Sequence, residues 1–302
     1  MSGTVVTVGT FDGVHLGHHA VLEEIARRAQ ASGRRSVLVT FEPHPLEVVN
    51  PQAAPLLLTA PDEKRMILAQ SPVDRVAFVR FTEELRDYPP ERFVREVLER
   101  RFEMRELVIG HDHGFGRGRE GNVALLQAIG RADGFVVDAV PAVMLDGRPV
   151  SSSLIRRAVA GGDLETAARA LGRRYSVNGV VGRGAGRGRS LGAPTINVAP
   201  HPRKLLPPDG VYAARVAWRG GERGAMLNLG ARPTFAEATR ALEAHLFDFA
   251  GDLYGEAVTV EFVRRLRDVV RFGAPEELSR QLERDRDAAL AALSKVPGPV
   301  TL

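Results

Sequence analysis

Three histidines lie close together near the start of the chain, in the stretch VTVGTFDGVHLGHH (residues 6–19). The stretch begins with a strand pattern and ends in a helix pattern, with glycines and an aspartate between them. Glycines let a backbone approach phosphate, and a helix N-terminus offers free N–H groups and the positive end of its dipole. His15 and His18 are three residues apart at the helix start, so their imidazoles are expected to point the same way. The pattern predicts a site that holds a nucleoside triphosphate while its α-phosphate is attacked and pyrophosphate leaves.

The alternative interpretation of this stretch is an ordinary glycine turn with histidines on the surface. We favour the nucleotide site because the H-x-G-H pattern follows a strand, opens a helix and comes directly after GTFDG. His19 is expected to be a surface residue. Besides the two histidines, the residues of this turn expected to contact ATP are Gly9, Thr10, Phe11, Asp12 and Gly17.

The composition limits the other kinds of chemistry. The chain has 302 residues, enough for two domains, and no cysteine, which excludes disulfides, thiolate nucleophiles and cysteine-based metal sites. We find no long apolar run and no signal-peptide pattern, so we expect a soluble, cytoplasmic protein that does not bind a membrane. The net charge is +4, but residues 166–208 contain arginines and no acidic residue. That segment indicates a polyanionic partner, either nucleotide phosphates or a nucleic-acid backbone.

Strand and helix patterns alternate in the first half of the chain, and these elements must position the histidine turn. Strand patterns occur at residues 4–9, 36–41, 73–81, 106–110 and 134–140, and helix patterns at 18–30, around 66–68, at 90–102 and at 122–131. This alternation predicts an α/β domain, a doubly wound parallel sheet of the Rossmann-like kind with helices on both faces. In such a sheet the ligand binds beyond the carboxyl ends of the strands, where residues 9–18 would lie.

The second half of the chain follows a different pattern. Strand patterns occur at residues 175–181, 211–218, 224–229, 241–247 and 257–265, with no helix between them, and one helix pattern covers residues 275–293. Several short strands and one terminal helix predict a small antiparallel β-barrel or sandwich, of which we favour the barrel. The domain boundary is expected after Leu171, giving domains 1–171 and 172–302.

Several motifs carry a resemblance to known families. GTFDGVHLGH (residues 9–18) resembles the signature of the nucleotidylyltransferase superfamily. TFEPHP (40–45), GHDHGFGRGREGN (110–122) and VSSSLIR (150–156) are similar to segments of the bacterial bifunctional riboflavin kinase/FAD synthetase family. GRGRSLGAPTINV (186–198) is similar to that family's riboflavin kinase motif. LPPDGVYAARV, LNLGARPTF and LEAHLFDFAGDLYG continue the resemblance in family order, so it covers nearly the whole chain.

The resemblance implies roles for further residues of the first half. The serines of VSSSLIR are good helix caps, which alone would explain them. The resemblance implies instead that the serines and a nearby arginine close on the ATP phosphates: Ser151, Ser152, Ser153 and Arg156. The flavin is implied to lie against a second set: His44, Pro45, Asp112, Phe115 and Gly116. The sequence departs from the family pattern at His113, Gly114 and Leu154.

In the second half, an arginine–glycine loop would supply main-chain N–H groups and positive charge to ATP. Its expected ATP contacts are Arg183, Gly184, Arg187, Gly188, Arg189, Gly192 and Pro194. Thr195 and Asn197 offer oxygens that suit Mg²⁺, although Thr195 could equally belong to an ordinary Pro-Thr turn. Glu243 could accept the proton of a ribityl 5′-hydroxyl; composition alone favours a solvated strand carboxylate, and the resemblance reverses that preference. The motif departs from the family at Ala193 and Ile196.

Together these features predict a two-step flavin enzyme. The second domain would phosphorylate riboflavin with MgATP to give FMN, and the first would join FMN to the AMP part of a second ATP, giving FAD and pyrophosphate. One alternative keeps only the nucleotidylyltransferase, acting on another phosphate acceptor, with a regulatory second domain. Another takes the arginine–glycine run as an RNA-binding module, but residues 182–192 lack the interleaved aromatic residues that stack on bases. The expected partners are riboflavin, FMN and ATP, and not nucleic acid. No ligand role is expected for His201, His245, Phe272, Leu278 or Leu282.

Overall fold

The computed structural model describes residues 3–111, 122–182, 195–231, 240–270 and 272–296. The chain divides into two compact units, Met1–Ser152 and Ser153–Leu302. This division lies earlier in the chain than the expected domain boundary after Leu171. The assignment of residues 153–171 to the first domain therefore stays a prediction.

The first unit is built on five strands: β1 (Thr4–Val8), β2 (Arg35–Glu42), β3 (Arg75–Arg80), β4 (Met104–Gly110) and β5 (Val136–Val140). All neighbouring strands are parallel, in the order β3-β2-β1-β4-β5. The helices are α1 (Leu16–Ser32), α2 (Pro45–Val49), α3 (Pro61–Ala69), α4 (Glu83–Arg86), α5 (Pro90–Arg92), α6 (Arg100–Phe102) and α7 (Val123–Asp133). A π-helical segment, Phe93–Glu99, joins α5 to α6, and a short hairpin of β6 (Met144–Leu145) and β7 (Arg148–Pro149) follows β5.

Helices cover both faces of this sheet. Successive residues of a strand point to opposite faces, so neighbours in β1 pack into different cores. Val5 belongs to a buried cluster with Leu22 and Ile25 of α1. Val6 belongs to a second buried cluster with Val94 of the π-helical segment. Burial on both sides explains why these strands have almost continuous apolar sequences, and the predicted doubly wound α/β fold is confirmed.

Arg28 of α1 binds three carboxylates, two of which belong to the sheet. Its guanidinium donates to Glu24 one turn earlier (2.6 Å), to Glu106 of β4 (2.7 Å) and to Asp138 of β5 (2.5 Å). Hydrogen bonds from Arg27, which has the larger effect, and from Arg28 lower the pKa of Glu24 to about 2. The network holds the second half of α1 against β4 and β5.

The second unit is a closed barrel with helices outside it. Helices α8 (Ser152–Ala160) and α9 (Leu164–Leu171) precede six strands: β8 (Ser176–Gly182), β9 (Thr195–Pro200), β10 (Gly210–Trp218), β11 (Gly221–Ala231), β12 (Arg240–Leu246) and β13 (Ala257–Arg267). The strands close in the order β10-β11-β12-β9-β8-β13, with every pair antiparallel. Helix α10 (Pro275–Ser294) follows β13. The predicted antiparallel barrel with a terminal helix is confirmed.

An ion pair and an apolar face hold α10 on the barrel. Ala289 and Ala292 of α10 pack with Val211 of β10 in one buried cluster. Arg267 of β13 donates to the Asp285 carboxylate from Nε (2.9 Å) and Nη2 (2.6 Å). Asp285 is only 3% exposed, so its buried carboxylate would destabilise the fold without the paired Arg267 guanidinium.

Several elements were not predicted from the sequence. TINVAP, residues 195–200, was interpreted only as part of a binding motif, but it forms β9 and completes the barrel. A strand of six residues that ends in proline gives a weak strand pattern. Helix α9 and the β6–β7 hairpin are likewise short, whereas the start of α8 agrees with the helix caps predicted in VSSSLIR. None of the helices in the described ranges has the length and apolar character needed to span a membrane.

We expect Asp285→Asn to destabilise the barrel, because the substitution leaves the Arg267 guanidinium without its carboxylate partner. Since Arg267 keeps some exposure, the expected loss is about 2 kcal/mol, less than for a fully buried pair. Trp218 in β10 is the only tryptophan of the chain, so urea unfolding followed by its fluorescence reports on the barrel. Glu283→Gln, an exposed change on the same helix, is the control and should shift stability by less than about 0.5 kcal/mol. Equal effects of the two substitutions would contradict the role given to the ion pair.

We expect Glu24→Gln to lower the stability of the first unit at neutral pH and to have a smaller effect at pH 3. The pKa of Glu24 is lower in the folded chain than its ordinary value of 4.5, so its contribution is complete above pH 4.5 and is lost as the pH falls towards 2. The pair is part-exposed, so we expect a difference of about 0.5–1 kcal/mol at pH 7. Urea unfolding followed by circular dichroism at pH 7 and pH 3 measures it. The exposed Glu23→Gln is the control, and a Glu24→Gln difference that stays constant with pH would contradict the assignment.

Candidate functional site

The turn between β1 and α1 lies where the order of the sheet reverses. β1 is the central strand, with β2 and β3 on one side and β4 and β5 on the other. In parallel sheets such a reversal leaves a crevice beyond the carboxyl ends of the strands, and ligands bind there. The turn of residues 9–15 therefore lies beside the position where a nucleotide is expected to bind.

This turn has a strained backbone. Phe11, Gly13 and Val14 have φ angles of 48°, 88° and 40°. Glycine adopts such angles readily, but residues with a side chain do so only where the surroundings hold them. The side chains of Phe11 and Val14 are buried in the same cluster as Leu22 of α1, which offsets the strain. The turn is thus held by packing as well as by hydrogen bonds.

Asp12 anchors the turn to the segment that precedes α3. Its carboxylate accepts hydrogen bonds from the Leu58 N–H (3.0 Å), the Thr59 N–H (2.9 Å) and the Thr59 hydroxyl (3.1 Å). The Gly13 N–H donates to the same hydroxyl (3.0 Å). Asp12 is 3% exposed, so its carboxylate interacts with groups of the protein. These hydrogen bonds fix the shape of the turn.

His15 and His18 form a stacked pair at the start of α1. Their ring centroids are 3.7 Å apart with an angle of 16° between the planes, and the His18 ring also stacks on Phe11. The His18 N–H donates to His15 Nδ1, and the His15 N–H donates to His18 Nδ1, each at 3.3 Å. Because both Nδ1 atoms accept hydrogen bonds, the proton of each neutral ring lies on Nε2. The pair therefore caps the helix with one nitrogen of each ring and keeps an N–H donor on the other.

Gly17 and His44 complete this edge of the sheet. A side chain at Gly17 would come within 3.2 Å of the His15 ring, so glycine leaves room for the imidazole. His44 follows the carboxyl end of β2 and caps α2, with its Nδ1 accepting from the Leu46 N–H at 3.2 Å. Pro45 is the first residue of α2. The structure thus brings the β1–α1 turn and the β2–α2 turn to one edge.

The serines of VSSSLIR lie around the start of α8. The Ser152 hydroxyl donates to the backbone carbonyl of Asp12 at 2.8 Å, so Ser152 contacts the β1–α1 turn directly. Ser151 immediately precedes α8, whereas Ser153 and Arg156 lie within it. His19 is part-exposed, and its N–H donates to the His15 carbonyl at 3.0 Å.

Two further residues beside this turn were not predicted as site residues. Thr59 pairs with Asp12, and Lys64 of α3 donates to the backbone carbonyl of Thr10 at 3.3 Å. The only local signal for Lys64 is its position one turn before the buried Leu68, on the face of α3 that packs inward.

In the barrel, the register of three strands aligns the expected kinase residues. Glu243 of β12 lies opposite Asn197 of β9 on one side and opposite Asn228 of β11 on the other. Thr195 lies opposite His245, two residues along the same strands. Side chains directly opposite in antiparallel strands have Cβ atoms about 4.5–5.5 Å apart. We call this set the outer row.

The outer row faces away from the barrel interior. Leu242 and Ala244 alternate with Glu243 along β12 and are fully buried, so they fill the barrel. Glu243 is part-exposed and Thr195 is exposed, whereas Asn197 is buried. Asn228 and His245 of this row were not predicted as site residues, because only the strand pairing brings them beside Glu243 and Thr195.

The remaining expected site residues lie outside the described ranges. They are the flavin residues Asp112, Phe115 and Gly116 and the loop residues Arg183, Gly184, Arg187, Gly188, Arg189, Gly192 and Pro194. Of the residues expected to have no ligand role, Leu282 packs against the core beneath α10.

Comparisons with known proteins identify both halves of the chain. A family model described as FAD synthetase matches residues 1–154, and one described as riboflavin kinase matches residues 171–293. A curated relative from Pseudomonas fluorescens, named bifunctional riboflavin kinase/FMN adenylyltransferase, is 40% identical over 96% of this chain and 93% of its own length. A relative of the same name from Haemophilus influenzae is 36% identical over 96% and 94%. A relative of that name from Bacillus subtilis is 31% identical over 97% and 93%.

A solved structure described as a macrolide-efflux protein from Streptococcus pneumoniae is also similar. Its TM-score is 0.86 at 28% identity, covering 95% of this chain and 94% of that chain, and its description belongs to that protein alone. The riboflavin kinase match removes the alternative in which the second half is only regulatory. The chain therefore belongs to the family of bifunctional riboflavin kinase/FMN adenylyltransferases, which phosphorylate riboflavin to FMN and adenylylate FMN to FAD.

Proposed function

We propose that FMN is adenylylated at the β1–α1 turn and that riboflavin is phosphorylated on the outer row of the barrel. The observation that carries the first assignment is the stacked His15–His18 pair at the N-terminus of α1. The observation that carries the second is the alignment of Glu243 with Asn197 and Asn228. We further propose domains 1–171 and 172–302, a cytoplasmic location and no nucleic-acid partner.

In the first site the reaction is an in-line phosphoryl displacement. A phosphate oxygen of FMN attacks the α-phosphorus of ATP, a new P–O bond forms, and the bond to the bridging oxygen of pyrophosphate breaks. The Nε2–H groups of His15 and His18 and the N–H groups at the start of α1 stabilise the negative charge that develops. No covalent intermediate is required, because positioning and charge stabilisation account for catalysis of this kind.

Other residues around this site hold the two substrates. The turn residues proposed to contact ATP are Gly9, Thr10, Phe11, Asp12 and Gly17, with Asp12 acting through the shape of the turn. Ser151, Ser152, Ser153 and Arg156 close on the phosphates. His44, Pro45, Asp112, Phe115 and Gly116 face the flavin.

In the barrel, Glu243 serves as the general base. Its carboxylate accepts the proton of the ribityl 5′-hydroxyl as that oxygen attacks the γ-phosphorus of ATP and ADP leaves. Asn197 and Asn228 lie opposite Glu243 on the two flanking strands. Their amides orient this carboxylate in the proposed mechanism. The arginine–glycine loop, residues 183–194, holds the ATP phosphates.

Mg²⁺ fits the donors of this second site. The Thr195 hydroxyl and the Asn197 amide provide hard oxygen atoms, which Mg²⁺ prefers together with oxygens of the substrate phosphates. When bound, the ion supplies charge neutralisation at the transferring phosphoryl group. Thr195 and Asn197 are the residues of this chain that would hold it.

We expect His15→Ala to lower the rate of FAD formation from FMN and ATP by about 100-fold, because a donor to the developing charge and a cap of α1 are both lost. Riboflavin phosphorylation by the same preparation should be unchanged. Chromatographic separation of riboflavin, FMN and FAD measures both activities. His19→Ala is the matched control on the same helix, and a loss of both activities in His15→Ala would contradict the assignment of separate sites.

We expect Glu243→Gln to lower FMN formation from riboflavin and MgATP by about 100-fold or more, because the amide cannot accept the proton. FAD formation from supplied FMN should be unchanged. The exposed Glu256→Gln, in the segment before β13, controls for loss of a carboxylate near the barrel. Full kinase activity in Glu243→Gln would show that another group is the base.

A further inference from the structure

Lys64 is a buried lysine directly behind the nucleotide turn. It lies in α3 and is 8% exposed. Burial lowers the pKa of its ammonium group, while the nearby carboxylates of Asp12 and Glu42 raise it and the neighbouring Arg65 lowers it. A buried cation is costly unless its N–H groups have partners, so a lysine in this place needs an explanation.

The Lys64 ammonium group connects the end of one strand to the turn after another. It donates to the Phe41 carbonyl of β2 at 2.9 Å, to the Thr10 carbonyl at 3.3 Å and to the Thr40 hydroxyl at 3.4 Å. The Thr40 hydroxyl in turn donates to the Thr10 carbonyl at 3.1 Å. An ammonium group has three N–H donors, and these three acceptors match that number.

The contacts of Lys64 complement those of Asp12. Asp12 fixes the middle of the turn to Leu58 and Thr59, just before α3. Lys64 fixes the first part of the turn, at Thr10, to the carboxyl end of β2. Two side chains of opposite charge therefore hold the turn, each at a different point along it.

We propose that Lys64 is a positioning residue for adenylyl transfer, holding Thr10 and the end of β2 where the ATP phosphates and the flavin must meet. The inference rests on the proposal that ATP binds at the β1–α1 turn. A displacement of reacting groups by about 1 Å can cost on the order of 100-fold in rate. The effect of losing Lys64 should therefore fall mainly on the chemical step.

The test measures FAD formation from FMN and ATP by the full chain carrying Lys64→Met. We expect kcat to fall about tenfold or more, with KM for ATP and FMN changing less than about threefold. Riboflavin phosphorylation by the same sample should be unchanged, which checks that the chain is intact. Arg65→Met removes the same charge from the exposed neighbouring position on α3 and should leave both activities unchanged.

Two further variants separate positioning from simple loss of structure. Lys64→Arg keeps a cation with several N–H donors and should recover most of the lost kcat. Thr40→Val removes the hydroxyl that accepts from Lys64 and donates to the Thr10 carbonyl. We expect a smaller fall in kcat, about threefold, again without a change in KM. This variant keeps the proposal testable if Lys64→Met does not fold.

The inference is overturned if Lys64→Met keeps its kcat for FAD formation, if Lys64→Arg is as impaired as Lys64→Met, or if the whole loss lies in KM. It is also overturned if a folded Thr40→Val matches the parent chain when Lys64→Met cannot be obtained. The His15→Ala variant distinguishes failure of the Lys64 inference from failure of the proposed site. If His15→Ala forms FAD normally, the site itself is wrong; if only the Lys64 variants are normal, the positioning role alone is wrong.

Discussion

The hydrogen bonds of the buried Asp12 carboxylate are the constraint on which the first site depends. Phe11 and Val14 adopt left-handed backbone angles that residues with side chains avoid, and such a turn persists only where its surroundings hold it. Three donors from Leu58 and Thr59 converge on Asp12 and hold the turn. The start of α1 is then fixed relative to the sheet. A site that works by positioning needs such rigidity more than it needs reactive groups.

In the barrel, the side chains of the outer row are positioned by a different kind of constraint. There the strand register, and not a strained turn, aligns the side chains of the proposed second site. Alternation along β12 places Leu242 and Ala244 inside and Glu243 outside, and pairing with β9 and β11 supplies an amide on each side of the carboxylate. A shift of one residue in either pairing would turn the outer row into the barrel interior. The interior packing that stabilises the barrel therefore also specifies the site.

The sequence was sufficient for the fold class of both units. Strand and helix periodicity indicated the parallel sheet and the barrel, and the strand-to-helix context of His15 and His18 predicted that they follow the carboxyl end of β1. It did not identify Thr59, Lys64 or Asn228. These residues lie far along the chain from their partners, and only tertiary contacts bring them together. The strand β9 was missed because TINVAP ends in proline and was interpreted as part of a binding motif.

The mutual capping of His15 and His18 links the start of α1 to the protonation state of both rings. Each Nδ1 uses its lone pair to accept a backbone N–H, and an imidazolium ion has no lone pair at that atom. Proton uptake by either ring therefore breaks a cap at the same time as it adds positive charge to the stack. The cap of α1 and the charge of the two rings are therefore linked, because the same two nitrogen atoms determine both.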